Sequence, residues 1–255
     1  MEIVLICHWS ISGHHVLRAL RAAGARVHLI HDDHAVSLRY SSTCSVLHRV
    51  ASLAEADADE IAGIVNELHR RRPVDYVTAG DLEGLLLVAR MRPALAPAVF
   101  PMSPQATLLR LHDKWEFFRT CQDLGIDVPR SICVQPGVAD AGAIISEIGF
   151  PLVIKPTALY GQRDILFIAN RQQLVEEFLR AGYAHPAAIV QEYVPGLDWG
   201  ASVFARDGRI VNWTTFVCPD FVSAEFAENR ELLGMATKIV AETGFTGVAN
   251  FDARL

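Results

Sequence analysis

No CxxC pair, no GxGxxG fingerprint, no stripe of lysine and arginine and no bilayer-length apolar run occurs in this 255-residue chain. Each absence removes a class of protein. Five cysteines, an odd number with no paired spacing, exclude a disulfide framework and a zinc ribbon. They fit a reducing, cytoplasmic setting. The apolar start "MEIVLIC" is short, carries Glu2 and has no basic region before it, so it is not a secretory signal. Lack of a long apolar run argues against a membrane span. The net charge of -6, with both signs mixed along the chain, argues against a nucleic-acid partner. The basic knot "HRRRP" at His69 to Pro73 suits the cationic end of a helix. Neither an internal repeat nor a low-complexity segment is found.

What is present is an apolar majority. A 51% hydrophobic composition supports one large domain or two modest ones. "EIVLIC" has the continuous apolar run of a buried parallel strand. "SGHHVLRALRAAG" follows as a helix, with Ser12 as its expected cap and Gly24 at its end. "ARVHLIHDD" is a second strand, "DADEIAGIVNELHRRRP" a helix, "VDYVTAG" a third strand and "LEGLLLVARMRPAL" a third helix. Strand–helix alternation of this kind implies a parallel sheet with helices on both faces. Four prolines in Pro93 to Pro104 break the rhythm and mark a domain boundary.

Beyond the boundary, "PQATLLRLHDKWEFFRTCQDLG" is helical to Gly125, "DVPRSICV" extended and "DAGAIISEIG" helical. "FPLVIKP" and "DILFIA" are strands joined by "TALYGQR"; "RQQLVEEFLRAG" is a helix closed by Gly182, and "AAIVQEYV" a strand. "GASVFARDGRIVNWTTFVC" reads as two antiparallel strands about an Asp-Gly turn. A helix, "AENRELLGMATKIVAETG", precedes the terminal "TGVANFDARL". Alternation along this last strand sets Val248, Asn250, Asp252 and Arg254 on one face and Ala249, Phe251, Ala253 and Leu255 on the other.

Several charged residues stand where charge costs most. Lys155 closes an apolar strand, which carries a desolvation cost unless an anion meets it or its head snorkels to water. The loop with Gly161 could cover phosphates through backbone N–H groups, or be a plain connection. In "VQEYVPGLDWG" a strand runs into a Pro-Gly turn and then Asp198. The backbone there can pair with a purine edge and the acid with ribose hydroxyls; read alone, the segment is more simply a plain turn with a solvated Asp198. Lys114 lies on a helix whose apolar side carries Leu111, Trp115 and Phe118, and read alone it is an ordinary surface helix lysine.

In this order, the segments "DKWEFFRTCQDLGIDVP", "FPLVIKP", "IVQEYVPGLDW" and "GVANFDARL" resemble the ATP-grasp superfamily. The likeness spans nearly the whole chain. It implies an α/β fold: a Rossmann-like pre-ATP-grasp domain over 1–102, then an incomplete α+β ATP-grasp domain over 103–255. The latter divides into a lid subdomain at about 126–192 and a second subdomain at about 193–255. The implied cofactors are ATP and Mg²⁺. By position, Lys114 and Lys155 would contact phosphates, and Gly161 would belong to the lid. Gln191 would face the adenine amino edge, the backbones of Glu192 and Val194 would pair with the ring with Tyr193 between them, Asp198 would hold the ribose and Asp252 would bind the metal. The implied activity is an ATP-dependent ligase that forms an acylphosphate from a carboxylate and joins it to an amine or similar nucleophile. Its partners would be small-molecule carboxylate and amine substrates, and a homodimer is compatible with the resemblance.

The pattern departs from the family at two places. Leu159 and Tyr160 stand in the lid where small residues are usual, and no "Glu-x-Asn" strand follows Leu255. The expectation is therefore an N-terminal portion of a longer ligase. Two rivals remain: a non-catalytic nucleotide-binding module, and an NAD(P)-binding Rossmann oxidoreductase whose turn "HWSISGHH" holds Gly13 alone. His8, His14, His15, His28, His31 and His34 crowd the first domain without an HxxxH pair, and the spacing argues against a metal cluster. His8 and Ser12 are substrate-side candidates.

Overall fold

Strand β1 (Glu2–Cys7) is buried along its whole length, as its unbroken apolar run requires. The computed structural model describes residues 1–42, 44–135, 137, 139–158, 164–179, 183, 185–220 and 223–255. These form two units, Met1–Gln105 and Ala106–Leu255.

In the first unit β1 is followed by α1 (Ser10–Ala22), β2 (Arg26–His31), a 3₁₀ segment (Asp33–Tyr40) and β3 (Cys44–Arg49). Then come α2 (Ala58–Arg71), β4 (Tyr76–Ala79) and α3 (Leu82–Met91). The strands pair in parallel in the order β3-β2-β1-β4. Leu5 and Cys7 pack with Leu17, Leu29 and Leu38 on one face. Val4 and Ile6 alternate to the other. There Gly84 of α3 comes so near Ile6 that a Cβ would lie 2.6 Å from its carbonyl. Strand β3 corrects the sequence reading, which passes over it. It is an edge strand with Leu47 42% exposed, so "CSVLHR" needs no apolar run. Ser12 is also not the cap of α1. The helix begins at Ser10, and the Ser12 hydroxyl donates back to the Trp9 carbonyl at 3.2 Å.

The second unit holds two four-stranded sheets. Helices α4 (Gln105–His112) and α5 (Lys114–Asp123) lead into it; the single helix read from the sequence breaks at Asp113. That carboxylate accepts from the N–H groups of Trp115 and Glu116 and starts a new helix. Next come β5 (Ser131–Val134), α6 (Ala141–Glu147), β6 (Leu152–Pro156) and β7 (Leu166–Ile168). Helix α7 (Arg171–Gln173) runs on as a π-helical turn (Leu174–Leu179) before β8 (Ala188–Glu192). Gly182, read as the end of this helix, lies outside the described residues. These strands form an antiparallel sheet in the order β5-β8-β6-β7. Leu152, Ile154, Val190 and Ile168 turn to a core with Ile144, Leu174 and Phe178.

The other sheet has the order β11-β10-β9-β12: β9 (Asp198–Arg206), β10 (Arg209–Cys218), β11 (Glu225–Phe226) and β12 (Gly247–Arg254). Helix α8 (Arg230–Thr243) packs on it and ends at Gly244, whose φ of 59° suits a glycine cap. Asp207 and Gly208 join β9 to β10 with φ of 47° and 75°, the pair of positive angles a two-residue hairpin requires. On β12, Phe251 is buried while Val248, Asn250 and Asp252 are exposed, as the alternation predicts.

Candidate active site

Alternation along β6 and β8 builds the first half of the site. Ile154 and Val190 face the core, so Lys155 and Gln191 face the opposite side. There they form a polar row across three strands. The Lys155 ammonium donates to Gln191 Oε1 at 3.0 Å, and Gln191 Nε2 donates to the Ser131 hydroxyl at 2.9 Å. Gln191 thus holds Lys155 in place. Lys114, the first residue of α5, is brought to this row by its backbone. Its N–H donates to the Thr157 carbonyl, just past the end of β6, at 2.8 Å.

Burial lowers the pKa of both lysines from the usual lysine value. For Lys114 the charge of Lys155 lowers it further, and Asp113 opposes. For Lys155 the charge of Arg254 adds to the lowering, while Asp198 and Asp252 oppose it. Charges from the β9–β12 sheet therefore reach the end of β6.

That sheet supplies the second half. Asp252 lies opposite Gly200, and Gly200 opposite Phe216, so all three share one face. A Cβ on Gly200 would lie 2.2 Å from the Phe216 ring, so the glycine lets the aromatic lie flat across β9. Asp252 accepts from Asn250 Nδ2 at 2.6 Å, and Asn250 Oδ1 accepts from Ser202. The carboxylate is open to solvent yet crowded by protein. Crowding raises its pKa, as does Asp198; Asn250 and Lys155 lower it.

Arg254 connects the two halves. Its guanidinium lies 5.1 Å above the Tyr193 ring and 3.4 Å from the Asp198 carboxylate. Tyr193 also meets Phe167 edge-on, and its N–H donates to the Pro151 carbonyl. The turn between Tyr193 and Asp198 is pinned by reciprocal backbone bonds between Leu197 and Leu255. Glu192 is oriented differently from the rest. Its carboxylate takes the Arg130 backbone and side chain at 2.9 and 2.8 Å, and its own N–H goes to the Arg130 carbonyl. Val194 is half-buried and leads into an exposed turn. Gly161 lies outside the described residues.

The structure thus gathers Lys114, Lys155, Gln191, Asp198 and Asp252, with Tyr193 joined through Arg254. Sequence reasoning missed Arg254, Phe216 and Ser131. Arg254 shares a face with Asp252 at a two-residue spacing, a signal the alternation already contained. Phe216 has no such mark, because only the hairpin register sets it beside Gly200.

One further residue missed by sequence reasoning organises the first unit. Asp81 caps α3 through Gly84 N–H, and its other oxygen accepts from the N–H groups of His8 and Trp9 at 2.6 and 2.7 Å. The Cys7 thiol donates to the same oxygen at 3.1 Å, and burial pushes its pKa up, so it is no nucleophile. Gly13 is used for packing: a Cβ there would lie 2.4 Å from Leu38 and 2.7 Å from the Cys7 sulfur. It does not mark a pyrophosphate loop. Among the described residues, no helix is long and apolar enough to cross a membrane.

No protein-family model matches the chain. The large chain of carbamoyl phosphate synthase from Deinococcus radiodurans is 26% identical over 137 residues, which is 52% of this chain and 13% of that protein. A solved L-amino acid ligase from Bacillus licheniformis superposes with a TM-score of 0.66 at 16% identity, covering 100% of this chain and 63% of that one. A D-alanine–D-alanine ligase from Bacillus anthracis, solved with ATP, superposes with a TM-score of 0.68 at 13% identity, covering 100% and 81%. The chain spans about an eighth of the curated relatives it matches. The solved relatives are ATP-grasp ligases, and the fold of this chain is the ATP-grasp fold.

Proposed function

We propose that this chain binds ATP between its β6–β8 row and the β9–β12 face, and serves a ligase that activates a carboxylate as an acylphosphate for attack by an amine. The observation that carries the reading is the placement of Lys114 and Lys155. The bond from Lys114 N–H to the Thr157 carbonyl anchors the start of α5 at the end of β6, and Lys114 feels the charge of Lys155, itself half-buried on that strand end. Two like charges drawn together at a desolvation cost call for a polyanion. A triphosphate supplies one, and phosphoryl transfer asks of protein chiefly charge neutralisation and positioning.

Gln191 fixes the Lys155 ammonium, so it meets a phosphate oxygen without first losing rotamer freedom. Because the Glu192 N–H is committed to Arg130, the Glu192 carbonyl and the Val194 N–H are the backbone groups for an adenine edge. Tyr193, packed between Phe167 and Arg254, holds that hinge rigid. Asp198 suits ribose hydroxyls. Phe216 offers an apolar floor beside Asp252.

The residues fit a magnesium ion only in part. Among the described residues Asp252 belongs to no group of three ligands. Magnesium, however, is commonly held by one or two carboxylates together with substrate phosphates. When bound, the ion would neutralise charge on the transferred phosphoryl group. Asp252 would be its protein ligand, with Asn250 orienting the carboxylate. Solved ATP-grasp neighbours hold ADP or MgADP, which supports this use.

ADP release should be followed over a panel of carboxylates and amines with magnesium and ATP. The proposal expects release that needs both a carboxylate and an amine and disappears in Asp252→Asn. MgATP binding without release over the whole panel would favour the nucleotide-binding module.

A further inference from the structure

The second cluster of charge lies in the first unit and takes no part in the proposed chemistry. We infer that His8, Asp32 and His34 form a three-ligand site for a divalent transition-metal ion of the zinc type. It is the sole group of three such side chains among the described residues whose donor atoms lie within 4.8 Å of one another.

The fold builds it from parallel pairing. Cys7 lies opposite His31, so the residues that follow β1 and β2 leave the sheet side by side. Residues 24 apart in sequence thereby meet. His8 Nδ1 lies 2.5 Å from Asp32 Oδ2, and His34 Nδ1 lies 3.7 Å from Asp32 Oδ1. The two imidazoles flank the carboxylate with ring centroids 4.3 Å apart. Each carboxylate oxygen thus faces a different imidazole nitrogen. Trp9 walls the group, its ring 5.2 Å from His8 and 6.1 Å from His34.

Each ligand is held from behind, as metal ligands generally are. Asp81 fixes the backbone of His8. Asp32 is 2% exposed and takes the N–H groups of His34 and Leu53. The Ser10 hydroxyl donates to the His34 carbonyl. Asp33 does not compete, because it is paired outward with Arg49.

A buried carboxylate with two imidazoles is a set of lone pairs and suits a cation. Two nitrogens and one oxygen favour zinc, cobalt or iron over magnesium or calcium. Bond lengths of ~2.0–2.2 Å put neighbouring ligand atoms ~3–3.5 Å apart. The His8–Asp32 contact must therefore open slightly, and the His34 contact is already near that spacing. The His8 proton moves to Nε2 so that Nδ1 can coordinate. His34 is 61% exposed, so the remaining coordination positions face solvent. Three protein ligands with open positions is the arrangement of a site that also takes water or a substrate oxygen.

The test uses the untagged 255-residue chain, stripped by chelator and dialysed against Zn²⁺ alone, with bound metal counted by elemental analysis and Co²⁺ absorption as a second probe. One ion per chain is expected, with affinity reduced about tenfold or more in His34→Ala and His8→Ala. The neighbouring His14→Ala/His15→Ala double variant should keep the ion. Circular dichroism checks each fold, and His34, being exposed, decides if His8→Ala does not fold. Absence of stoichiometric uptake, uptake retained in folded His34→Ala, or uptake lost in the double variant would overturn the site.

Discussion

Two groups of charge stand at strand ends in this protein, and their chemistry is opposite. Beyond β1 and β2, one buried carboxylate is flanked by imidazoles, a set of lone pairs. Beyond β6 and along β12, two ammonium groups and a guanidinium face two carboxylates, a set dominated by donors. The first group is tied into its surroundings by hydrogen bonds from Leu53 and His34, with Asp81 anchoring the loop that carries His8. In the second, burial lowers the pKa of both lysines; Lys155 lowers that of Lys114 further and Arg254 that of Lys155, while Asp113, Asp198 and Asp252 oppose. On the two proposals made above, one fold offers a cation site and a polyanion site, and the difference lies in the sign of the excess.

The largest effect is expected at Lys155. Lys155→Ala should weaken MgATP binding by about 10- to 100-fold, from the ~1.5–3 kcal/mol of a hydrogen bond to a charged group, measured by calorimetric titration. Unchanged affinity would remove this lysine from the site.

Asp81→Ala probes the other group. It takes away a helix cap and the acceptor for two loop N–H groups, and should destabilise the chain by ~1–3 kcal/mol in urea unfolding. Nucleotide affinity of the folded variant should stay near that of the parent. A variant as stable as the parent would show that the clamp on His8 does not contribute.

The pH dependence follows from the sign of the lysine shifts. Both pKa values are lowered below 10.5 in the folded chain. Between the lowered value and 10.5 the unfolded chain holds more protons, so the ligand-free fold gains stability as pH rises through that window. Nucleotide binding needs the ammonium forms and runs the other way. Its affinity should fall as pH rises toward 10.5, with proton uptake on binding when titrations are compared in buffers of different ionisation enthalpy. Binding that is flat with pH and takes up no protons would separate the lysines from the ligand.

Arg254→Ala should give the smallest effect. The cation–π contact with Tyr193 and the solvent-exposed pair with Asp198 are each worth about 0.5–1 kcal/mol, so MgATP affinity should change only a few-fold. A loss as large as that of Lys155→Ala would mean that Arg254 touches the nucleotide itself.

Much of this was legible in the sequence where local physics decides structure. Continuous apolar runs mark β1 and β6, the Asp207-Gly208 pair marks its hairpin, and alternation separates Asp252 from Phe251. Other features needed the fold. Helices α4 and α5 carry one continuous apolar period, and only the Asp113 cap divides them. Strand β3 is an edge strand with mixed composition. His8, Asp32 and His34 have no helical or hairpin spacing, so the pattern argued against a metal cluster; parallel pairing of β1 with β2 is what joins them. The bond between the Gln191 side chain and Lys155 is a cross-strand partnership that register alone reveals.

The most direct test of the central claim is a calorimetric titration of the chain with MgATP and, separately, NADH, repeated for Lys155→Ala. Saturable one-site MgATP binding, no NADH binding and a clear loss in the variant are the predicted results. NADH binding in place of ATP, or MgATP affinity indifferent to Lys155, would contradict the account.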